Sequence, residues 1–385
     1  MKSLLSYLLI ILLACGTMTV TIEPAFAKKK ASTTAKTPKK KKKAITKAKK
    51  KKPTKAQKEA EKKKKFAENQ KKKAKYVRET LKWGVHKNRI DAINRIEYIK
   101  DKGVKKDLYL YLVKVMDTEA DADTLKKALT VLGEYKIKEA ESLMIKSLDN
   151  DSDDVKIAAI HGINKIKAVK AKKKLLKAIK AQDFSKDSRY TNALLISLGN
   201  FKAVELIEFA KKTFEDTKTT KILRQNLVLF FGRLKSKKPK DFLLKLYKDK
   251  EEDLTLRAYA VNSLGKLNIK EATPAIKKMI AEIDLYSFKK KKKYYNLKIY
   301  SIQALVKMGD KAATPILMNA LRSDNAMVRY RSIKLIKELK DKRTIDILKY
   351  KMKYDPSKKV RKEAEKALKE LGVDVKKLKE KDENK

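Results

Sequence analysis

The sequence predicts an all-α fold, a superhelical solenoid of about eight to nine helical-hairpin repeats. Three observations lead there. The first is a beat of roughly 33 residues, a length typical of stacked repeat units. Leu132-Gly133, Leu198-Gly199, Phe231-Gly232 and Leu264-Gly265 follow one another at glycine steps of 66, 33 and 33, and Met308-Gly309 and Leu371-Gly372 follow at further steps of 44 and 63. A fixed period of this length marks units that stack on their neighbours rather than fold alone. The second is composition: Gly (10) and Pro (7) are scarce among 385 residues, and Leu, Ile, Lys, Ala and Glu dominate. Such residues favour helices over strands. The third is apolar spacing. Leu125, Ala128, Leu129 and Leu132 make one helical stripe, and Ala140, Leu143, Met144 and Leu148 make a second. Neither helix can bury its stripe alone, so successive pairs must stack.

Residues 1–27 read as an export signal. Lys2 gives a short positive start, Leu4–Ala14 is an apolar run, and Ala25-Phe26-Ala27 places small residues where a signal peptidase accepts them. Cleavage after Ala27 is the reading adopted, with a soluble protein of the periplasm or cell envelope as the expectation. The alternative is a lipoprotein signal ending at residue 14: Leu12-Leu13-Ala14-Cys15-Gly16 resembles a lipobox, with Cys15 lipidated and the product anchored to a membrane. Against export stands the flank from Lys28-Lys29-Lys30, because the more positive flank tends to stay cytoplasmic.

Residues 28–75 hold 24 Lys and three Glu, with little apolar beyond Ile45 and Phe66. A segment of that kind cannot bury enough surface to order itself, so disorder is expected when it is free. Residues 76–372 are expected to be the repeat body, and 373–385 a charged tail.

Within the body, each glycine is expected to cap a first helix in the left-handed conformation. Thr273-Pro274 and Thr314-Pro315 read as a capping Thr followed by a Pro at the first helical position, and Thr344 fits the same role. Trp83, the only Trp, is expected in the core. Acidic pairs such as Asp153-Asp154 and Glu251-Glu252 fall between repeats and are expected to cap helices. Val328-Arg329 with Ser332-Ile333, Val360-Arg361 with Ala364 and Ala367-Leu368, and a shifted version at Asp253-Leu254, Arg257-Ala258 and Leu264-Gly265 share one pattern. That pattern resembles the short HEAT-like repeat of bilin-lyase-type proteins. The resemblance implies an α-α superhelix, mostly a protein-binding architecture, with its repeated Arg residues used to tie neighbouring turns together.

Catalytic signatures do not emerge. The two histidines, His86 and His161, lie far apart in the chain, and the one cysteine, Cys15, is in the signal. No spacing suits a metal, no glycine-rich loop suits a phosphate, and no nucleophile elbow is present. The expectation is a non-enzymatic chain with no catalytic, metal or cofactor residues. The net charge of +53 asks instead for an anionic partner, and much of it lies outside residues 28–75.

One irregularity singles out a site. The step from Gly265 to Gly309 is eleven residues longer than the beat, and the extra stretch carries Tyr286, Phe288, Lys289, Lys290, Lys291, Lys292, Lys293, Tyr294 and Tyr295. Cations interleaved with aromatics suit stacking together with phosphate or carboxylate contacts, so this stretch is expected to be a binding loop. Lysines of the second helices (Lys172–Lys174, Lys177, Lys277, Lys278 and Lys349) are expected to add a basic face. The functional expectation is an exported scaffold that binds a protein, with an anionic lipid, glycan or other polyanion as a further candidate surface. The alternative is a nucleic-acid-binding protein on the cytoplasmic side.

Overall fold

The computed structural model describes residues 54–375. The stretch read as an export signal, with Ala25, Ala27 and Cys15, the lysine-rich stretch up to residue 53 and the tail beyond 375 lie outside the described residues. From Lys58 onward the chain forms one compact unit. Among the described residues there are 18 α-helices and no strand, as an all-α solenoid requires.

A long helix, α1 (Lys55–Trp83), leads in. The pairs that follow are α2 (His86–Ile96) with α3 (Lys102–Met116), α4 (Ala122–Glu134) with α5 (Glu141–Lys146), α6 (Asp153–Ile166) with α7 (Lys172–Lys180), and α8 (Arg189–Asn200) with α9 (Ile207–Glu215). Then come α10 (Lys221–Phe231) with α11 (Lys240–Lys248), α12 (Leu254–Lys266) with α13 (Thr273–Leu285), α14 (Phe288–Lys307) with α15 (Ala313–Ala320), and α16 (Ala326–Leu339) with α17 (Ile345–Tyr354). The single helix α18 (Lys358–Glu370) closes the stack. First helices from α2 to α18 pack side by side in one continuous row, and each second helix packs on the first helix that follows it. One contiguous apolar core runs between the two layers from Ala74 to Val375.

The glycines explain the close row, and in a way the sequence reading did not anticipate. Gly133, Gly199, Gly232 and Gly265 sit within their helices or at the last helical turn, none at positive φ. Their purpose is proximity. A Cβ on Gly133 would lie 2.7 Å from the Gly162 Cα, one on Gly232 would lie 2.9 Å from the Ser263 Cα, and one on Gly265 would lie 2.7 Å from the Ala304 Cα. Each glycine therefore lets one first helix touch the next. In the repeat spanned by the double step from Gly133 to Gly199, Asn164 holds the equivalent place, and Gly162 is the backbone that Gly133 meets, as Ser263 and Ala304 are for Gly232 and Gly265. The left-handed cap lies three residues further on, at Lys136, Lys202, Lys235 and Asn268, with Lys167 and Lys340 in the same conformation. Only Gly309 and Gly372 are themselves left-handed caps. After most of these caps the next amide bonds back to a buried Leu or Ile carbonyl, as Ile137 does to Leu132 (2.9 Å), Ile269 to Leu264 (3.1 Å) and Asp310 to Leu305 (3.0 Å). This is the Schellman closure, adopted here mainly by lysine.

Three expectations about element ends need correcting. The boundary at 76 falls inside α1. Its stripe of Gln70, Ala74, Val77 and Leu81 is buried, and the Gln70 side chain accepts the Lys100 amide at 2.9 Å. Glu59 and Glu61 each meet a lysine four residues on, offsetting part of the lysine repulsion along the helix. At the other end Val375 is still buried, so the core outlasts residue 372. The Thr-Pro pairs do not cap. A short 3₁₀ turn (Lys270–Ala272) feeds directly into α13, Ala272 holds the cap position without a side-chain bond, and Thr344 is replaced as a capping group by Asp341. Trp83 is not core either. It stands 77% exposed at the end of α1 with the Lys82 ammonium 4.6 Å over its ring, because Leu81 already fills the inward position.

The repeated arginines do tie turns together. Arg329 is buried and forms a two-pronged pair with Asp355 (2.8 and 2.9 Å), while its third nitrogen reaches the Ser323 and Asp324 carbonyls. Arg361 donates to the Asp355 and Pro356 carbonyls, and buried Arg257 to the Tyr247 carbonyl at 3.1 Å.

Candidate functional site

The stretch expected to be a loop is helix. Register from cap to cap shows why. The left-handed residues Asn268 and Gly309 occupy equivalent places at a step of 41, whereas the step from Lys235 to Asn268 is 33. The extra eight residues equal about two helical turns. They lengthen α14 to 20 residues at its N-terminal end, and only Tyr286 and Ser287 separate it from α13. No Gly or Pro interrupts Phe288–Lys307, so nothing in the sequence stops the helix from extending.

The extension carries two faces. On one, the Tyr286 and Tyr294 rings meet edge to face at 4.9 Å, and the Lys290 ammonium sits 3.9 Å over Tyr286. This clasp fixes the turn between α13 and α14. On the other, Phe288, Lys291 and Tyr295 follow one another at helical spacing and line a cleft of about 340 Å³. Its floor is the ion pair between Lys298 and Asp284, and its far wall is the segment around Arg322 and Asp324 after α15. Phe288 is 54% exposed at the mouth, with the Lys292 ammonium 4.7 Å over its ring. Lys289 and Lys293 are exposed on the remaining surface. The structure thus spreads the nine expected residues around one helix end rather than converging them on a single pocket.

Electrostatically this end is unfavourable as it stands. None of the lysines from 289 to 293 has a carboxylate partner among the described residues. The first turn of α14 contains no acidic residue, and Ser287 makes no capping bond. Cations at a helix N-terminus oppose the helix dipole, so an anion placed here would relieve both repulsions.

Of the second-helix lysines expected to form a basic face, several are used in ion pairs, whereas Lys173, Lys177 and Lys278 have no carboxylate partner among the described residues. Lys172 pairs with Glu205 (2.8 Å), Lys277 with Asp310 (3.0 Å) and Lys349 with Asp346 (3.1 Å), and Lys174 pairs with Asp149. The acidic residues between repeats are used likewise. Asp253 accepts the Thr255 and Leu256 amides, and Glu252 pairs with Arg224 at 3.0 Å. Asp154 takes Lys126 at 2.6 Å and Arg189 at 2.5 Å, a bridge across three first helices rather than a cap. His86 lies 3.4 Å from Asp121, far along the chain from His161. Among the described residues no group of His, Cys, Asp and Glu converges as a metal site, and no helix is long and apolar enough to cross a membrane.

Residues 110–191 and 289–369 match the family model of HEAT repeats. The stacked pairs within those two stretches are HEAT repeats, and the described chain is an all-helical solenoid. No curated protein matches the chain. Among solved structures, the CpcE–CpcF complex of phycocyanin lyase from Nostoc sp. is 18% identical, with 69% of this chain and 94% of that one covered at a TM-score of 0.39. Human deoxyhypusine hydroxylase is 17% identical over 76% of this chain and 99% of its own, with a TM-score of 0.28. The karyopherin Kap121p, bound to the C-terminus of the phosphatase Cdc14p, is 12% identical over 80% of this chain and 37% of its own, with a TM-score of 0.37.

Proposed function

We propose that this HEAT-repeat chain is an exported, non-enzymatic scaffold of the periplasm or cell envelope that binds an acidic protein partner on its basic surface. The observation that carries the reading is the end of α14: unpaired lysines from 289 to 293, interleaved with Phe288, Tyr294 and Tyr295, at a helix N-terminus whose first turn holds no acidic residue. Such an end attracts anions over long range and offers aromatic area for contact once they arrive. Anionic lipid or glycan has the same charge chemistry and would be drawn to the same place.

Export rests on Ala25-Phe26-Ala27 and the apolar run before it, with a lipid anchor at Cys15 as the variant form. The second reading, a cytoplasmic-side nucleic-acid binder, draws on the positive flank beginning at Lys28. Intact-mass analysis of the chain from its own cells separates them. A mature start at Lys28 supports the soluble exported form and a lipidated Cys15 the anchored one, whereas an unprocessed Met1 contradicts export. For binding, replacing all five lysines from 289 to 293 by Gln is expected to weaken retention on heparin, used as a generic polyanion, by several-fold in affinity. Unchanged retention would remove α14 from the interface.

A further inference from the structure

A second cationic feature lies at the opposite end of the same helix row. The residue two places before each left-handed cap ends a first helix at equivalent positions: Glu134, Lys165, Asn200, Arg233, Lys266, Lys307, Glu338 and Glu370. Three consecutive members, Arg233, Lys266 and Lys307, are basic. Lys202 joins them from the preceding repeat, because its ammonium reaches across to the Arg233 carbonyl at 2.7 Å. The close approaches of Gly232 to Ser263 and of Gly265 to Ala304 hold these helix ends side by side. None of the four has an ion-pair partner among the described residues, in contrast to Lys172, Lys174 and Lys277 of the second helices.

We infer that Lys202, Arg233, Lys266 and Lys307 form a binding row for an extended acidic segment of a protein. The inference deepens the binding reading above and rests on it for the class of partner. It does not use α14's basic end, since Lys293 and Lys307 are separated by about 20 Å along the helix.

Three observations support it. The cations crowd one another. Lys266 is held below the ordinary lysine range, first by the surrounding protein and then by Arg233 and Lys307, and Lys202 is lowered by burial and then by Lys235 and Arg233. Ligand carboxylates would offset that repulsion. Spacing fits as well. The charges occupy three helix ends, which at about 8–10 Å intervals span roughly 16–20 Å, the length of about five or six extended residues. Apolar contact lies alongside: two turns before Lys266 and Lys307 stand Tyr259 and Tyr300, partly exposed, with rings 6.0 Å apart.

The limits of the row argue for a short acidic peptide over nucleic acid. Glu338 and Glu370 follow Lys307 at the next two equivalent positions. A long polyanion continued past Lys307 would run onto these carboxylates, whereas a segment of limited length would not.

The test uses the full chain and a fluorescent, unstructured peptide of about ten residues, mostly glutamate, followed by anisotropy. The triple variant R233Q/K266Q/K307Q is expected to bind the peptide about tenfold or more weakly, while the variant with Gln at 289 to 293 stays within about twofold to threefold. The triple variant should unfold at the wild-type temperature or above it, because it removes repulsion. Equal peptide binding by wild type and the triple variant overturns the inference. So does wild-type binding that is undetectable, or better competition by a single-stranded oligonucleotide of equal charge. If only the α14 variant loses the peptide, the reading of α14 stands and the row falls.

Discussion

Arg329 and Asp355 form the most demanding residue-scale contact in the body. Both are buried, and the Asp355 carboxylate also meets Lys351 at 3.3 Å. Burial alone would push that carboxyl up. Hydrogen bonds from Arg329, the Ser357 amide and Lys351 outweigh it and hold Asp355 below the usual carboxylate range. Removing one partner leaves a buried charge uncompensated, so Arg329→Met should cost about 3–5 kcal/mol by denaturant unfolding. The pair also sets an acid limit. A carboxylate lowered in the folded state gives its full stabilisation above its unfolded value, near pH 4, and loses it as pH falls through the folded value. Asp341 is lowered in the same direction, chiefly by Arg343. Thermal midpoints should therefore hold level down to about pH 5 and fall below about pH 4, more steeply in wild type than in an Arg329→Met background. A milder prediction concerns the left-handed lysines. Lys136 holds φ 55 at a cap where most L-residues are strained. Lys136→Gly should raise stability by up to about 1 kcal/mol, the strain relieved less the greater flexibility of the unfolded chain.

At the scale of the element, the row of first helices depends on backbone contact. Gly265→Ala would drive a methyl to within 2.7 Å of the Ala304 backbone, and should cost about 1–3 kcal/mol. At Gly309 there is open space around the same methyl, and the penalty is that of φ +68 alone, about 1–2 kcal/mol. Gly309→Asn should recover much of it, whereas Gly265→Asn should be worse than Gly265→Ala, and paired unfolding curves distinguish the two kinds of glycine. This difference marks how far the sequence could be read. The period, the stripes and the Arg pattern identified the repeats because they are local and recur. The glycine beat mixed two structural positions, so it gave eleven extra residues before Gly309 where the cap-to-cap register gives eight. A stretch of Lys and Tyr has no signal that separates loop from helix extension, and the clasp of Tyr286 on Tyr294 shows only in three dimensions. The row through Arg233, Lys266 and Lys307 was hidden for the same reason, since it depends on counting from caps that are mostly lysines.

For the whole molecule, the question is why so much positive charge is retained. Within the body many lysines and arginines pair across repeats, and those pairs are mostly exposed and add little individually. Unpaired cations stand close together at the N-terminal end of α14 and at the C-terminal ends of α10, α12 and α14. Self-repulsion there lowers stability, and an acidic partner would convert that cost into affinity and rate of association. The central claim is that the solenoid is a binding scaffold acting through these charges. Its most direct test is the affinity of the full chain for an acidic polypeptide as a function of salt. A drop of about tenfold or more is expected between roughly 0.05 and 0.3 M ionic strength, steeper in wild type than in either Gln-substituted variant. Binding that is indifferent to salt, or no binding at low salt, would contradict it.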